Sequence, residues 1–257
     1  MKKLFYLPLM LGAIAVAFTS CNGDDDPTSA TLLLSSTLTQ NDAPGVNRVL
    51  AATWGNDDQQ HTVAYSAFGT TGFMLLLDAT PHPSTLDTVG TDDFFTISNP
   101  NARTAIIWEL EGFTSSTGAF LDADFAGWFY RATMVDTDDE YSYTFEFWVY
   151  ADRAVSITGT DGGIDDGDRW EEVVSLNLVQ GWNRVFETIG ARTEEEGIVF
   201  FYTTTTSPVS GMTWVFDPAN GDDDDTPTGT AMQANAQADS MEARVAERAA
   251  QRRSERR

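Results

Sequence analysis

Cysteine, histidine and lysine are nearly missing from this chain. Its 257 residues contain one cysteine, two histidines and two lysines. A single cysteine forms no intrachain disulfide, so stability must come from apolar burial rather than covalent staples. The two histidines, His61 and His82, are the sole imidazole bases for a Ser-His-acid arrangement, and no serine lies in a nucleophile-elbow motif. No catalytic residue is therefore assigned. Both lysines, Lys2 and Lys3, stand at the N-terminus. Net charge is −24, while Arg244, Arg248, Arg252, Arg253, Arg256 and Arg257 crowd the last 14 residues, so the body is more acidic than the total indicates. Such a surface repels phosphate and argues against a nucleic-acid partner. Long apolar runs are also lacking. The longest, Leu4 to Phe18, has 15 residues, short of the roughly 20 that a bilayer-spanning helix needs.

That run has the form of a secretory signal: Lys2 and Lys3, an apolar middle, then the small residues Thr19 and Ser20 before Cys21. The arrangement resembles a bacterial lipobox, which implies that Cys21 is the lipidated residue and the new N-terminus. A lone cysteine in a secreted chain is otherwise an unpaired thiol. One acyl chain anchors only reversibly, whereas two or more hold stably at about 0.8 kcal/mol per buried methylene; a diacylated thioether meets that need. The acidic run Asp24–Asp26 resembles a surface-export signal of Bacteroidetes lipoproteins. Asn22 after the cysteine suits outer-membrane sorting, since aspartate there resembles the inner-membrane retention pattern.

The chain divides into five parts: a signal peptide (1–20), a lipidated cysteine with an acidic tether (21–30), a β-rich body (31–218), an Asp-rich linker (219–230) and an Arg-rich tail (231–257). The whole chain is 42% hydrophobic and 12% aromatic, enough for a packed core. Its period is two. Along Tyr141–Tyr150, Tyr141, Tyr143, Phe145, Phe147 and Val149 make one face, and Ser142, Thr144 and Glu146 begin the other. Such alternation predicts a strand with one buried face. Phe73, Leu75 and Leu77 form another, as do Ile106, Trp108 and Leu110, and Val174, Leu176 and Leu178. Turn formers fall between them at 55–58, 69–72, 98–101, 161–163 and Gly181. The expected fold is all-β, an antiparallel β-sandwich or two packed sheets, followed by a helical or disordered C-terminal tail.

Gly72-Phe-Met-Leu-Leu-Leu77, Pro81-His-Pro83, Tyr150–Gly159 and Leu176-Asn-Leu-Val-Gln-Gly-Trp-Asn-Arg-Val185 resemble recurring segments of Bacteroidetes surface lipoproteins over roughly 31–201. The compact L-x-L-x-x-G-W-N-x-V pattern carries most of the resemblance. It implies a cell-surface or periplasmic-face address on the outer membrane and a β fold, and supplies no catalytic residues. The acidic linker and the arginine tail depart from it.

Four groups of residues are candidates for chemistry. Asp161, Asp165, Asp166 and Asp168 lie in a Gly-rich stretch that could wrap Ca²⁺, although EF-hand spacing fails; Asp136, Asp138, Asp139 and Glu140 are a second such set. Trp54, Trp128 and Trp170 adjoin turn residues and could stack on a glycan. Glu109 and Glu111 share one face of an expected strand, as do Glu146 and Thr144; paired carboxylates could hydrolyse glycosides, but these residues fit a solvated outer face better. Arg244, Arg248, Arg252 and Arg256 recur at i, i+4 and make one positive ridge, suited to anionic lipid or to the acidic body. Three functions follow, in order of preference: an outer-membrane lipoprotein acting as a structural or binding module without enzymatic activity, partnered by a glycan or surface protein; a glycan-binding accessory of a polysaccharide-uptake system; and a carboxylate hydrolase.

Overall fold

The structure, a computed structural model, describes residues 31–219 apart from 91–93, 138, 166–167 and 195–196. Cys21, the acidic tether, nearly all of the Asp-rich linker and the arginine tail lie outside the described residues.

The described chain is all-β. Its strands in order are β1 (Leu32–Ser36), β2 (Arg48–Trp54), β3 (Gln60–Ala67), β4 (Phe73–Leu77), β5 (Asp87–Thr88), β6 (Phe95–Ile97), β7 (Arg103–Ile107) and β8 (Leu110–Phe113). There follow β9 (Phe125–Asp136), β10 (Glu140–Ala151), β11 (Val155–Asp165), β12 (Asp168–Leu178), β13 (Gly181–Glu194), β14 (Gly197–Thr205) and β15 (Thr213–Pro218). Two single-turn 3-10 segments, Pro83–Thr85 and Asp122–Asp124, are the only helical elements among the described residues. Thirteen strands form one sheet, whose main path runs β3-β2-β8-β9-β10-β13-β14-β12-β11-β6, and β1 pairs with β4 in a second, two-stranded sheet. All pairs are antiparallel except β12 with β14, which run parallel.

The large sheet divides at its centre. One edge of β10 pairs with β9 along 141–146 and then with β7 along 148–151. The chain leaves β7 at Ile107, passes Trp108 and Glu109, and enters β8, which pairs with β2 and β9 instead. The alternation over Ile106–Glu111 therefore belongs to two strands rather than one. Strands that change partners in this way make the corners of packed sheets.

The small sheet lies over one face of the large one. Leu34, Phe73, Leu75 and Leu77 share a core with Val49, Phe129, Trp148, Tyr150 and Trp182. Side chains of the large sheet also bond to backbone carbonyls of the covering layer: Trp214 Nε1 donates to Ser35 O (2.7 Å), Trp182 Nε1 to Ala79 O (3.0 Å) and Arg184 to Leu33 O (3.3 Å). Gly72 permits the tight entry into β4. Its φ is +87°, and a Cβ there would stand 1.9 Å from Ser36 O, so neither the conformation nor the space admits a side chain.

A second core on the opposite face of β10 gathers Phe147, Val149, Val155, Leu178 and Val185. β10 is thus covered on both sides, and this corrects its predicted polarity. Ser142, Thr144 and Glu146 are buried, Glu146 completely, whereas Tyr141, Tyr143 and Phe145 are half-buried. Trp148 is fully buried as well. The polar row survives burial because its groups are paired. Thr144 and Thr188 hydroxyls meet at 2.8 Å across the β10–β13 ladder, and Ser142 donates to Glu140 Oε1 (2.9 Å).

Glu146 accepts from three donors. Arg131 Nη1 lies 2.6 Å from Oε2; Arg184 Nη1 (3.3 Å) and Trp148 Nε1 (3.1 Å) meet Oε1. Removing one partner of a buried ion pair leaves the other charge uncompensated and costs about 3–5 kcal/mol. Glu146→Gln, which keeps the shape and removes the charge, is expected to lower unfolding stability by that amount in chemical denaturation. A loss under about 1 kcal/mol would show that the pair is not the organising contact.

Candidate functional site

The division of the sheet between β7 and β8 opens a groove of about 190 Å³, lined by Trp54, Thr85, Asp87, Trp108, Glu109 and Glu111 among others. Ligand pockets for drug-sized molecules run from about 300 Å³, so this one suits something the size of a single sugar ring. Trp108, an apolar part of the lining, packs on Phe147 at 4.5 Å between ring centroids.

Cross-strand register explains which side chains share this face. Leu50 of β2 stands opposite Tyr65 of β3 and Glu111 of β8, and Glu111 stands opposite Trp128 of β9. Trp54 pairs with Gln60 at the same end of β2 and β3. Since residues two apart on a strand point the same way, Trp54, Tyr65, Glu111 and Trp128 belong to one sheet face. Tyr65 is 65% exposed and Trp54 36% exposed; Trp128 is half-buried and packs edge-on against Phe125 at 4.8 Å. Two of the three tryptophans singled out in the sequence therefore lie on one sheet face, on strands separated by β8, and of these Trp54 lines the groove whereas Trp128 does not. The third, Trp170, is on β12, four strands beyond β9 along the sheet, and lies against Gly163.

Glu109 and Glu111 are not on a solvated outer face. They are 7% and 9% exposed, and both line the groove. Burial pushes the Glu111 carboxyl up to about 7; a hydrogen bond from Gln60 Nε2 opposes the rise, and the charge of Asp122 adds to it. The sequence pattern misplaces these glutamates because a period of two shows which residues share a face, not whether another layer covers it.

The rim of the groove carries a cluster that sequence reading did not assemble. After Trp54 the chain turns through Gly55–Gln59, closed by Gly55 N–H to Gln59 O (2.9 Å) and Asp58 N–H to Gly55 O (3.0 Å). A bulge follows: Ala51 pairs with Ala64 but Ala52 with Thr62, leaving Val63 as the extra residue. Bulges re-aim the side chains beyond them, and His61 is two residues away. His82 stands between Pro81 and Pro83, which hold it extended (φ −58°, ψ 140°) as the cap of the Pro83–Thr85 turn. The imidazoles of His61 and His82 stack 4.1 Å apart and 4° from parallel. His61 Nε2 lies 3.2 Å from both Asp57 carboxylate oxygens and 3.1 Å from Ser84 Oγ. Ser84 Oγ is also 2.8 Å from His82 Nδ1. Although burial works against its charge, hydrogen bonds from His61 and the Gln59 amide hold the Asp57 carboxyl below the usual range. This is not a serine-hydrolase relay. Serine and aspartate meet the same nitrogen of His61, whereas a triad needs them on opposite nitrogens.

The aspartate loop is drawn into a hairpin. β11 and β12 pair continuously from Val155↔Leu178 to Asp165↔Asp168, and Asp161 stands opposite Glu172. Thus 161–163, read as a turn, is strand. Four residues of strand span about 13 Å, so Asp161 lies beyond reach of any ion held at the hairpin tip. Asp166 lies outside the described residues, as do Asp138 and the four tail arginines Arg244, Arg248, Arg252 and Arg256. No known protein family, curated protein or solved structure matches this chain.

Glu111 makes stability depend on pH in a defined direction. The folded chain holds this proton more tightly than the unfolded chain, where a glutamate titrates near 4.5. Its contribution is therefore complete below about pH 4.5 and is lost as pH rises through about 7, by about 3 kcal/mol in all. Denaturation of wild type and Glu111→Gln between pH 4.5 and 8 checks this: the difference between the two should change by that amount across the window, and a constant difference would place Glu111 at an ordinary carboxylate pKa.

Proposed function

We propose that this protein is a lipid-anchored outer-membrane lipoprotein whose β body is a non-enzymatic binding module for a small saccharide-like ligand. The observation that carries the binding reading is that Trp54 and Trp108 line one groove together with Glu109 and Glu111, with Gln60 bonded to Glu111. A sugar ring presents an apolar face and a rim of hydroxyls. Aromatic rings supply area for the first, and carboxyl and amide groups in a groove supply directional bonds for the second. The strongly acidic surface suits a neutral or cationic saccharide better than a phosphorylated one. The anchor rests on the lipobox at Cys21, and the Asp24–Asp26 run supports exposure at the cell surface. Replacement Cys21→Ala should abolish incorporation of labelled fatty acid and move the protein from the membrane fraction to the soluble one; persistence at the membrane would remove the anchor.

A saccharide panel titrated against the full chain tests the binding site. Trp54→Ala is expected to weaken binding about tenfold, equivalent to about 1.4 kcal/mol, with little change in melting temperature, and Trp128→Ala, at a residue outside the groove, to change affinity little. Trp170→Ala should leave affinity unchanged. Absence of binding across the panel, or equal affinity in all three variants, overturns the reading. One observation favours hydrolysis as a second reading: Glu111, with a carboxyl near pKa 7, shares the groove with Glu109, and a proton donor poised near neutrality is what general acid catalysis requires. Cleavage of a bound saccharide that disappears in Glu111→Gln would decide for it.

A further inference from the structure

We propose that Asp57, His61 and His82 form a binding site for one divalent transition-metal ion, Zn²⁺ being the natural probe. The inference is independent of saccharide binding, and either can fail alone. It begins from scarcity: the chain has two histidines, 21 positions apart, and the fold stacks their rings beside a carboxylate. One ligand atom from each of the three residues lies within 4.8 Å of the others. Ligands at 2.0–2.1 Å in a tetrahedral shell stand about 3.3 Å from one another, so closure requires a shift of about 1.5 Å. His82 is exposed and its ring can turn that far, while its backbone stays held by the two prolines.

The donor set selects the class of metal. Two imidazoles and one carboxylate suit Zn²⁺, Cu²⁺, Ni²⁺ or Fe²⁺, whereas Ca²⁺ requires six to eight oxygens. The hydrogen bonds already present mark where the metal would go. His61 Nε2 faces the two Asp57 oxygens through a proton, and a metal would take that proton's place. His82 Nδ1 accepts the Ser84 amide N–H at 3.3 Å and meets Ser84 Oγ at 2.8 Å, so it presents a lone pair on the side of the cluster, for which a metal would compete with Ser84. Ser84 Oγ bridges both imidazoles and can serve as a fourth ligand or orient them.

Gly55 supplies the second observation. A Cβ on this residue would stand 2.3 Å from Asp57 Oδ1, 2.5 Å from Ser84 Oγ and 3.1 Å from His61 Nε2. The missing side chain is the space into which the donors converge, and the φ of Gly55 is not in the left-handed region, so backbone conformation does not explain the glycine. A metal here would fasten the Gly55–Gln59 turn to the Pro81–Thr85 segment. Trp54 and Thr85, which flank these two segments, both line the groove, so the ion would stiffen one of its walls.

The test is calorimetric titration of Zn²⁺ into the metal-stripped full chain carrying Cys21→Ser, which removes the competing thiol. One ion per chain is expected. His82→Ala removes an exposed donor, and Gly55→Ala removes none but pushes Asp57 and Ser84 out of the converging space; each should weaken that site about tenfold or more. Co²⁺ in place of Zn²⁺ should give visible d–d absorption that both variants lose. No stoichiometric site, or equal affinity in wild type and His82→Ala, would assign any binding to the acidic surface and overturn the proposal. Should Gly55→Ala fail to fold, the exposed His82 variant decides the matter.

Discussion

A carboxylate with no exposed surface, Glu146, sits where β9, β10 and β13 meet, held by Arg131, Arg184 and the Trp148 indole. Much of the architecture depends on it. Each arginine reaches a backbone carbonyl at its other end, Arg131 at Met212 and Arg184 at Leu33, so one buried charge ties the central strands to the segment before β15 and to the covering sheet. Desolvation makes such a group a poor source of net stability. Its effect is on register. A slip of β10 by one residue would move Glu146 from its arginines into the apolar core of Phe147, Val149 and Val185, and that penalty excludes the alternative pairing.

The same central strand explains why the sheet divides. β10 has two layers to satisfy, and one of its edges is shared between β9 and β7. The chain between β7 and β8 must cross from one partner to another, and the crossing leaves a gap that side chains only partly fill. Trp108, Glu109 and Glu111 are carried into it by that crossing. The groove and the rim cluster are both irregularities of the sheet: a change of partner on one side, a bulge in β3 and a proline-framed histidine on the other. Departures of this kind from regular pairing are where a β fold can place chemistry without disturbing its core.

Much of the scaffold was legible in the chain. Alternation located β4, β10 and β12, and the turn formers at 55–58, 69–72 and 98–101 fall between strands. The buried face Phe73-Leu75-Leu77 follows the pattern, and on β12 Leu178 is buried while Val174 and Leu176 are half-buried. It went astray at Ser142, Thr144 and Glu146, and at Glu109 and Glu111. A strand covered on one side and a strand covered on both can have the same alternating sequence when the second layer packs on polar groups that are paired. The Gly-rich stretch 161–163 misled for the opposite reason: its glycines lie within a regular hairpin, where Gly162 and Gly163 pass close to Trp170 and Glu171.

Local information in the sequence therefore determined the strand-forming period and most of the turns, because each depends on residues near one another along the chain. Only the tertiary structure decided that His61 and His82 stack, that Trp54 lines the groove while Trp128 and Trp170 do not, and that Glu109, Glu111 and Glu146 are buried. Those facts depend on strand order and on which layer covers which face, and residues far apart in sequence carry no local signal of either.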